Sequence, residues 1–229
     1  LESARMATDD KELIREIMND YARMVPEIKN DTMAPIIAGK MQKLIKEKTG
    51  IADPYQQFKE ENMKSAKSFL PVVKKEINKA DDSVFAALVM SAMGNSIDAG
   101  VSLDVDIETN IESALKNGFV KSDYNKFKID LDKADEVLII ADNAGEAVFD
   151  KILLKELNNY DIKLTYVVRE IPILNDISQK EAKDLEVAKY AKIISSGSTA
   201  PGMVMEEASP EFKKSYKNSD IIISKGQGN

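Results

Sequence analysis

Beyond Asp135 the chain alternates short, almost wholly apolar runs with amphipathic segments, and few folds satisfy that pattern. The apolar runs are EVLIIA (136–141), KLTYVVRE (163–170), KIISS (192–196) and DIIISK (220–225), and helical patterns lie between them at Ala147–Asn158, Gln179–Ala188 and Glu211–Lys217. A strand without polar side chains has to be covered on both faces, and strands separated by helices are joined by crossovers. The pattern therefore predicts an α/β fold of βα units in a mainly parallel, Rossmann-like sheet. Right-handed crossovers bring every strand's carboxyl end to one edge, where open α/β sheets present ligand groups.

The first 130 residues read as helical instead. Leu13, Ile14, Ile17, Met18, Tyr21 and Met24 follow helical spacing up to Pro26, and Ile36, Ile37, Met41, Leu44 and Ile45 form a second stripe ending at Gly50. Asp53-Pro54 is an N-cap and N1 pair opening a long helix through Phe58, Met63, Ala66 and Phe69, which Pro71 is expected to kink or split. The run Ser83–Met93 is apolar nearly all round and hence buried, and it leads into GNSIDAG (94–100). Helices over Ile107–Lys116 and Ser122–Leu131 complete this part. The expected division is a helical domain, 1–130, and an α/β domain, 131–229.

Composition narrows the chemistry. There is no histidine, which excludes imidazole bases and histidine-held metals; only carboxylates, Lys, Arg, hydroxyls, amides or an oxygen-bound metal remain. The net charge of −7 argues against non-specific nucleic-acid binding. No apolar run approaches the roughly 18 residues of a membrane span, no signal-peptide pattern opens the chain, and cysteine is absent; a cytoplasmic protein is expected. The chain opens on Leu1 and stops at Asn229 after a strand-like run, so both ends are expected to be trimmed, and these exclusions hold for the segment itself.

The strand ends carry the candidate site. After the first come Asp142 and Asn143, after the second Arg169, Glu170 and a loop to Asp176, after the third SSGSTAPG, and after the fourth KGQGN. Asp142, the side-chain oxygen of Asn143, and Asp176 offer three hard oxygen ligands for a divalent cation. The bland alternative is that each pair, Asp142-Asn143 and Asn175-Asp176, caps the helix that follows. Arg169 and Lys225 suit phosphate, with surface ion pairs as the alternative. Glycines such as Gly197 and Gly226 let backbone N–H groups approach an anion. Asn95 and Asp98 read as turn residues, or as site residues if their helix packs against the sheet edge.

The segments ADNAGE, VREIPILND, SSGSTAPG, GNSIDAG and KGQGN, over roughly Met90 to Asn229, together resemble the damage-control phosphatase family, most closely its prokaryotic and archaeal branch. That resemblance implies a helical domain joined to a Rossmann-like domain, and phosphatase activity dependent on a divalent metal (Mn²⁺, Mg²⁺, Co²⁺ or Ni²⁺) toward small phosphorylated metabolites such as sugar phosphates or nucleotides. It makes Asp142, Asn143 and Asp176 metal ligands and Lys225 a phosphate contact, with Arg169, Glu146, Asn95 and Asp98 lining the pocket. Two departures stand out. The branch usually carries a cysteine pair just upstream of a stretch like LESAR and a further strand beyond KGQGN, and this sequence has neither.

With no histidine, Asp98 or Glu146 is the expected proton acceptor, and Asp142 as a covalent nucleophile lacks the usual DxD pattern. Two rival functions remain at this stage. One is an S-adenosylmethionine-dependent carboxyl methyltransferase, which the glycine-poor first βα turn disfavours; the other is a binding module for a phosphorylated metabolite without turnover.

Overall fold

A computed structural model describes residues 1–98 and 107–229, with the side chains of residues 95–98 and 107–108 outside the description. The helical part comprises α1 (Glu2–Ala7), α2 (Lys11–Met24), α3 (Ala34–Thr49), α4 (Gln56–Lys79), α5 (Ser83–Asp98), α6 (Ile107–Asn117) and α7 (Tyr124–Leu131). Then follow β1 (Glu136–Ile140), α8 (Ala147–Leu157), β2 (Lys163–Val168), α9 (Gln179–Asp184), β3 (Lys192–Ser195), α10 (Pro210–Asn218) and β4 (Ile221–Ser224). The four strands form one parallel sheet in the order β3-β2-β1-β4, so β1 lies between β2 and β4.

The side-chain alternation of β1 explains why that strand is apolar throughout. Val137, Ile139 and Ala141 face a core shared with α4, α5 and α8, while Leu138 and Ile140 pack with Val167, Ile194 and Phe212 of α10 on the other face. The larger core is continuous, running from Met63 and Val73 in α4 through Ala87 and Met90 in α5 to Tyr166 in β2. In α5 small residues permit close approach: a Cβ on Gly94 would sit 3.0 Å from Glu146 Cα and 3.1 Å from Phe149. The end of α5 is thereby set against the start of α8.

Several boundaries differ from expectation. Pro71 does not split its helix; α4 runs unbroken over 24 residues. Proline removes one N–H, the partner of the Lys67 carbonyl four residues back, and both residues lie on the exposed side where water can take that carbonyl. The helix begins at Gln56 rather than directly after Asp53-Pro54: a turn over Pro54 and Tyr55 intervenes, within which Asp53 still accepts the Tyr55 N–H while also pairing with Lys59. The helix expected over 179–188 stops at Asp184: Glu186 takes a left-handed conformation (φ 56°) and a 3-10 turn follows. Among the described residues no helix is long and apolar enough to cross a membrane.

One buried ion cluster ties α4 to the α/β part. Lys59 is 1% exposed, with its ammonium 2.7 Å from Asp53 and 2.6 Å from Glu181. Burial pushes the Glu181 carboxyl up, but hydrogen bonds from Lys59 and Ser178 outweigh it and hold the group below the usual carboxylate range. Lys59→Met would leave two carboxylates without their cation, and is expected to lower unfolding stability by about 3 kcal/mol. Urea denaturation tests this, and a loss below about 1 kcal/mol, the range of an exposed pair, would show the cluster to be energetically incidental.

Candidate active site

The turn after β1 is pinned to the loop after β2 by backbone bonds. Ile177 N–H donates to the Asp142 carbonyl (2.8 Å), Ala144 N–H to Asn175 (2.9 Å), and Asn143 and Asp176 form an antiparallel bridge. This fold-back brings Asp142, Asn143 and Asp176 together. Neither acidic pair is occupied in capping: α8 has Glu146 at its N-cap position, and α9 is capped by Ser178, whose own N–H donates to Glu181 at 2.9 Å.

Each predicted cation is held by an acid of the same rim. Arg169, 2% exposed, donates from Nε to Asp176 at 2.6 Å and from Nη2 to Asn229 Oδ1 at 2.8 Å. The ammonium of Lys225 lies 2.9 Å from Glu146 and 2.5 Å from Asp150. Asn143 Nδ2 donates to the other Glu146 oxygen at 2.8 Å, which leaves Asn143 Oδ1 as an acceptor. The terminal KGQGN segment is fastened to β1: Lys225 N–H donates to Ile140, and Asn229 Nδ2 donates to the carbonyls of Ala141 (3.0 Å) and Lys225 (2.6 Å). Gly226 has φ +83°, and a Cβ there would fall 2.3 Å from Asp142 Cγ. The backbone therefore lies directly on that carboxylate.

The electrostatics follow from burial and crowding. Burial, then the neighbouring Asp176 and Glu146 carboxylates, push Asp142 up to about 7, against the pull of Arg169 and Lys225. Burial also raises Asp176 although Arg169 opposes it. Burial alone would lower Lys225, but Asp150 and Glu146 overcompensate and raise it, so the lysine stays cationic. Among the described residues no protein group hydrogen bonds the Asp142 carboxylate. The N–H groups of Gly145 and Glu146 have no backbone acceptor among those residues either. The cluster is an electronegative rim with two cations behind it.

One of the other predicted residues stands elsewhere. Gly197 (φ +79°) serves the turn before α10: its Cβ would meet Ser209 N at 2.4 Å, and its N–H donates to Ser195 Oγ. Asn95 and Asp98 occupy the last turn of α5, and their side chains lie outside the described residues. Three residues that sequence reasoning missed complete the network. Asp150, fully buried, accepts from Ser91 Oγ at 2.6 Å and from Tyr166 OH at 2.7 Å as well as from Lys225. Asp150 had left a signal, a lone acid in the apolar run AVFDKILL, one helical turn beyond Glu146.

Comparison with known proteins bears on the family and the fold. A model of the "Damage-control phosphatase ARMT1-like domain" matches residues 1–229. An uncharacterized protein of Methanocaldococcus jannaschii is 33% identical, covering 100% of this chain and 77% of its own. A damage-control phosphatase of Archaeoglobus fulgidus is 31% identical, covering 99% and 80%. The crystal structure of a DUF89 family protein from Pyrococcus horikoshii superimposes with a TM-score of 0.87 at 26% identity, over 100% of this chain and 80% of that one.

Proposed function

Because the chain belongs to the damage-control phosphatase ARMT1-like family, we propose that it is a divalent-metal-dependent phosphatase hydrolysing phosphomonoesters of small metabolites at the rim around Asp142. One observation carries the reading: Asp142, Asn143 and Asp176 share a rim with two buried cations, Arg169 and Lys225.

The donor set fits a hard divalent ion. Among the described residues no group of three or more acids is placed to hold a metal. The proposed set instead mixes two carboxylates with the free Asn143 amide oxygen, a combination hard cations accept. Asp142 crowded by two other acids, with no hydrogen-bond donor among the described residues, is the electrostatic condition that a cation relieves. Mn²⁺, Mg²⁺, Co²⁺ and Ni²⁺ are the candidate ions. When bound, such an ion polarises a phosphoryl oxygen and acidifies a coordinated water.

The protein's own groups supply the rest. An ammonium has three N–H donors; two of Lys225's are engaged by Glu146 and Asp150, and the third is available to a phosphoryl oxygen. The open N–H groups of Gly145 and Glu146, at the positive end of α8, neutralise further charge. Glu146, or Asp98 from the end of α5, takes the proton of the attacking water. The water oxygen bonds to phosphorus, the ester P–O bond breaks, and the acid that took the water's proton returns it to the leaving alcohol.

Hydrolysis of an aryl phosphate with each cation, and its loss on chelation, tests the activity. Thermal stability tests the ion separately. An acid raised from 3.8 to about 7 contributes stability that is complete below its unfolded value and lost as pH rises through about 7. The metal-free protein is thus expected to lose melting temperature from about pH 4 to pH 8, and Mn²⁺ to raise it more at pH 8 than at pH 5. Turnover indifferent to chelation, together with a melting temperature indifferent to all four ions, would overturn the reading.

A further inference from the structure

Across the carboxyl edge of the sheet, α3 faces two loops over a cleft of about 460 Å³. Its walls are Ile36 and Gln42 of α3, Ile171 and Ile173 after β2, and Thr199 and Ala200 after β3, with Lys40, Lys43 and Lys46 along one side. Gly39 closes one end, where a Cβ would stand 3.3 Å from both Ala200 Cα and the Thr199 carbonyl.

Gln42 is out of keeping with a helix–loop contact. It is 2% exposed, and its Oε1 is the one buried side-chain nitrogen or oxygen among the described residues without a hydrogen-bond partner. Buried acceptors are almost always matched, because leaving one bare forfeits its hydration without return. An unmatched acceptor in a cleft wall is a place for a ligand's O–H or N–H. The three lysines of the lining outnumber its two carboxylates, Glu47 and Glu207, and that balance points to an anion. Lys40 has no ion-pair partner among the described residues, and Lys43 reaches only the exposed Glu47, at 3.9 Å. Lys46 turns inward and donates to the Pro172 carbonyl.

The same loops bound the proposed active site. The carbonyl of Ile173 accepts the Asp176 N–H at 3.1 Å, so a cleft wall helps hold that aspartate. Two residues past Ala200, Gly202 packs against Gly228 of KGQGN. We infer that the cleft is the subsite for the part of the substrate remote from the scissile phosphate, and that it selects substrates bearing a second anionic group and a hydroxyl or N–H donor. This rests on the phosphatase reading. Gln42 Oε1 accepts the donor, and Lys40 and Lys43 take the second anion.

The test compares 4-nitrophenyl phosphate, a hexose monophosphate and a hexose bisphosphate, assayed with Mn²⁺ and with Mg²⁺, in wild type, Gln42→Met and the double variant Lys40→Gln/Lys43→Gln. Wild type should favour the bisphosphate over the monophosphate by roughly tenfold in kcat/KM, and salt should erode the preference. Gln42→Met keeps side-chain length while removing the bare acceptor. It should hold or raise the melting temperature, raise KM for the bisphosphate roughly tenfold, and leave aryl phosphate kinetics unchanged. The lysine variant should abolish the preference. Aryl phosphate turnover with a wild-type ratio near one, or a ratio that survives in both variants, would overturn the inference, as would a lower melting temperature in Gln42→Met with unchanged KM. If no substrate turns over with either metal, the phosphatase reading fails by itself. Calorimetry then decides the cleft: bisphosphate binding to wild type and lost in Gln42→Met supports it, and no binding to wild type overturns it.

Discussion

Gly226→Ala should abolish turnover about as thoroughly as Asp142→Ala, each lowering kcat/KM roughly a thousandfold on any phosphomonoester the protein hydrolyses. The alanine variant adds one methyl group, and the damage follows from where that group must go. A Cβ at this position would lie 2.3 Å from Asp142 Cγ and 2.4–2.5 Å from its two oxygens, well inside contact distance. The positive φ of +83° makes the residue strained even before the collision. The loop cannot simply retreat, since Lys225 N–H is bonded to Ile140 and Asn229 is bonded to Ala141 and Arg169. The short Asp142 side chain is the part that gives way, and it swings from the position shared with Asn143 and Asp176. The core is remote from the added methyl, so circular dichroism should stay native and Mn²⁺-induced stabilisation should vanish. A folded Gly226→Ala protein with activity within about threefold of wild type would show that the Asp142 position is not what turnover depends on.

The contrast between what the chain spelled out and what it hid has a physical basis. Strand β1 was legible because both its faces are buried, against α8 on one side and Phe212 on the other, and a doubly covered strand has no polar position. That chemistry-bearing residues gather at one sheet edge follows from parallel topology alone. What was not legible is who neutralises whom. Arg169 and Lys225 were readable as cations at strand ends, but their partners Asp176 and Asp150 lie 7 and 75 residues away and depend on loop fold-back and on helix packing. Lys59 shows the same limit: in sequence it is one of many helical lysines, and only the docking of α9 buries it. The two capping alternatives for Asp142-Asn143 and Asn175-Asp176 were locally reasonable. They gave way because Ser178 with Glu181 makes a better cap for α9, and because the Asn143 amide turns to the Glu146 carboxylate while Glu146 takes the N-cap position of α8.

Asp150 offers the sharper separation of stability from chemistry. Asp150→Leu removes the acceptor of three buried donors at once, the ammonium of Lys225 and the hydroxyls of Ser91 and Tyr166. The lysine keeps only Glu146, in a site where a half-compensated charge is costly, so unfolding stability should fall by about 4 kcal/mol. On the proposed role of Lys225, turnover should fall with it, since the ammonium then swings toward Glu146 and away from where that reading puts the phosphate. The double variant Asp150→Leu/Lys225→Met distinguishes the two effects. Replacing a buried ion pair by apolar groups of similar size is often nearly neutral, whereas removing one partner is not. The double variant should therefore recover part of the lost stability in a denaturation curve, since Glu146 still lacks its cation and Ser91 and Tyr166 their acceptor, and none of the activity. Recovery of both would reduce Lys225 to a packing element whose charge exists only to satisfy Asp150. Recovery of stability alone would mean that the acid is there to hold the lysine, and that the lysine is there for the substrate.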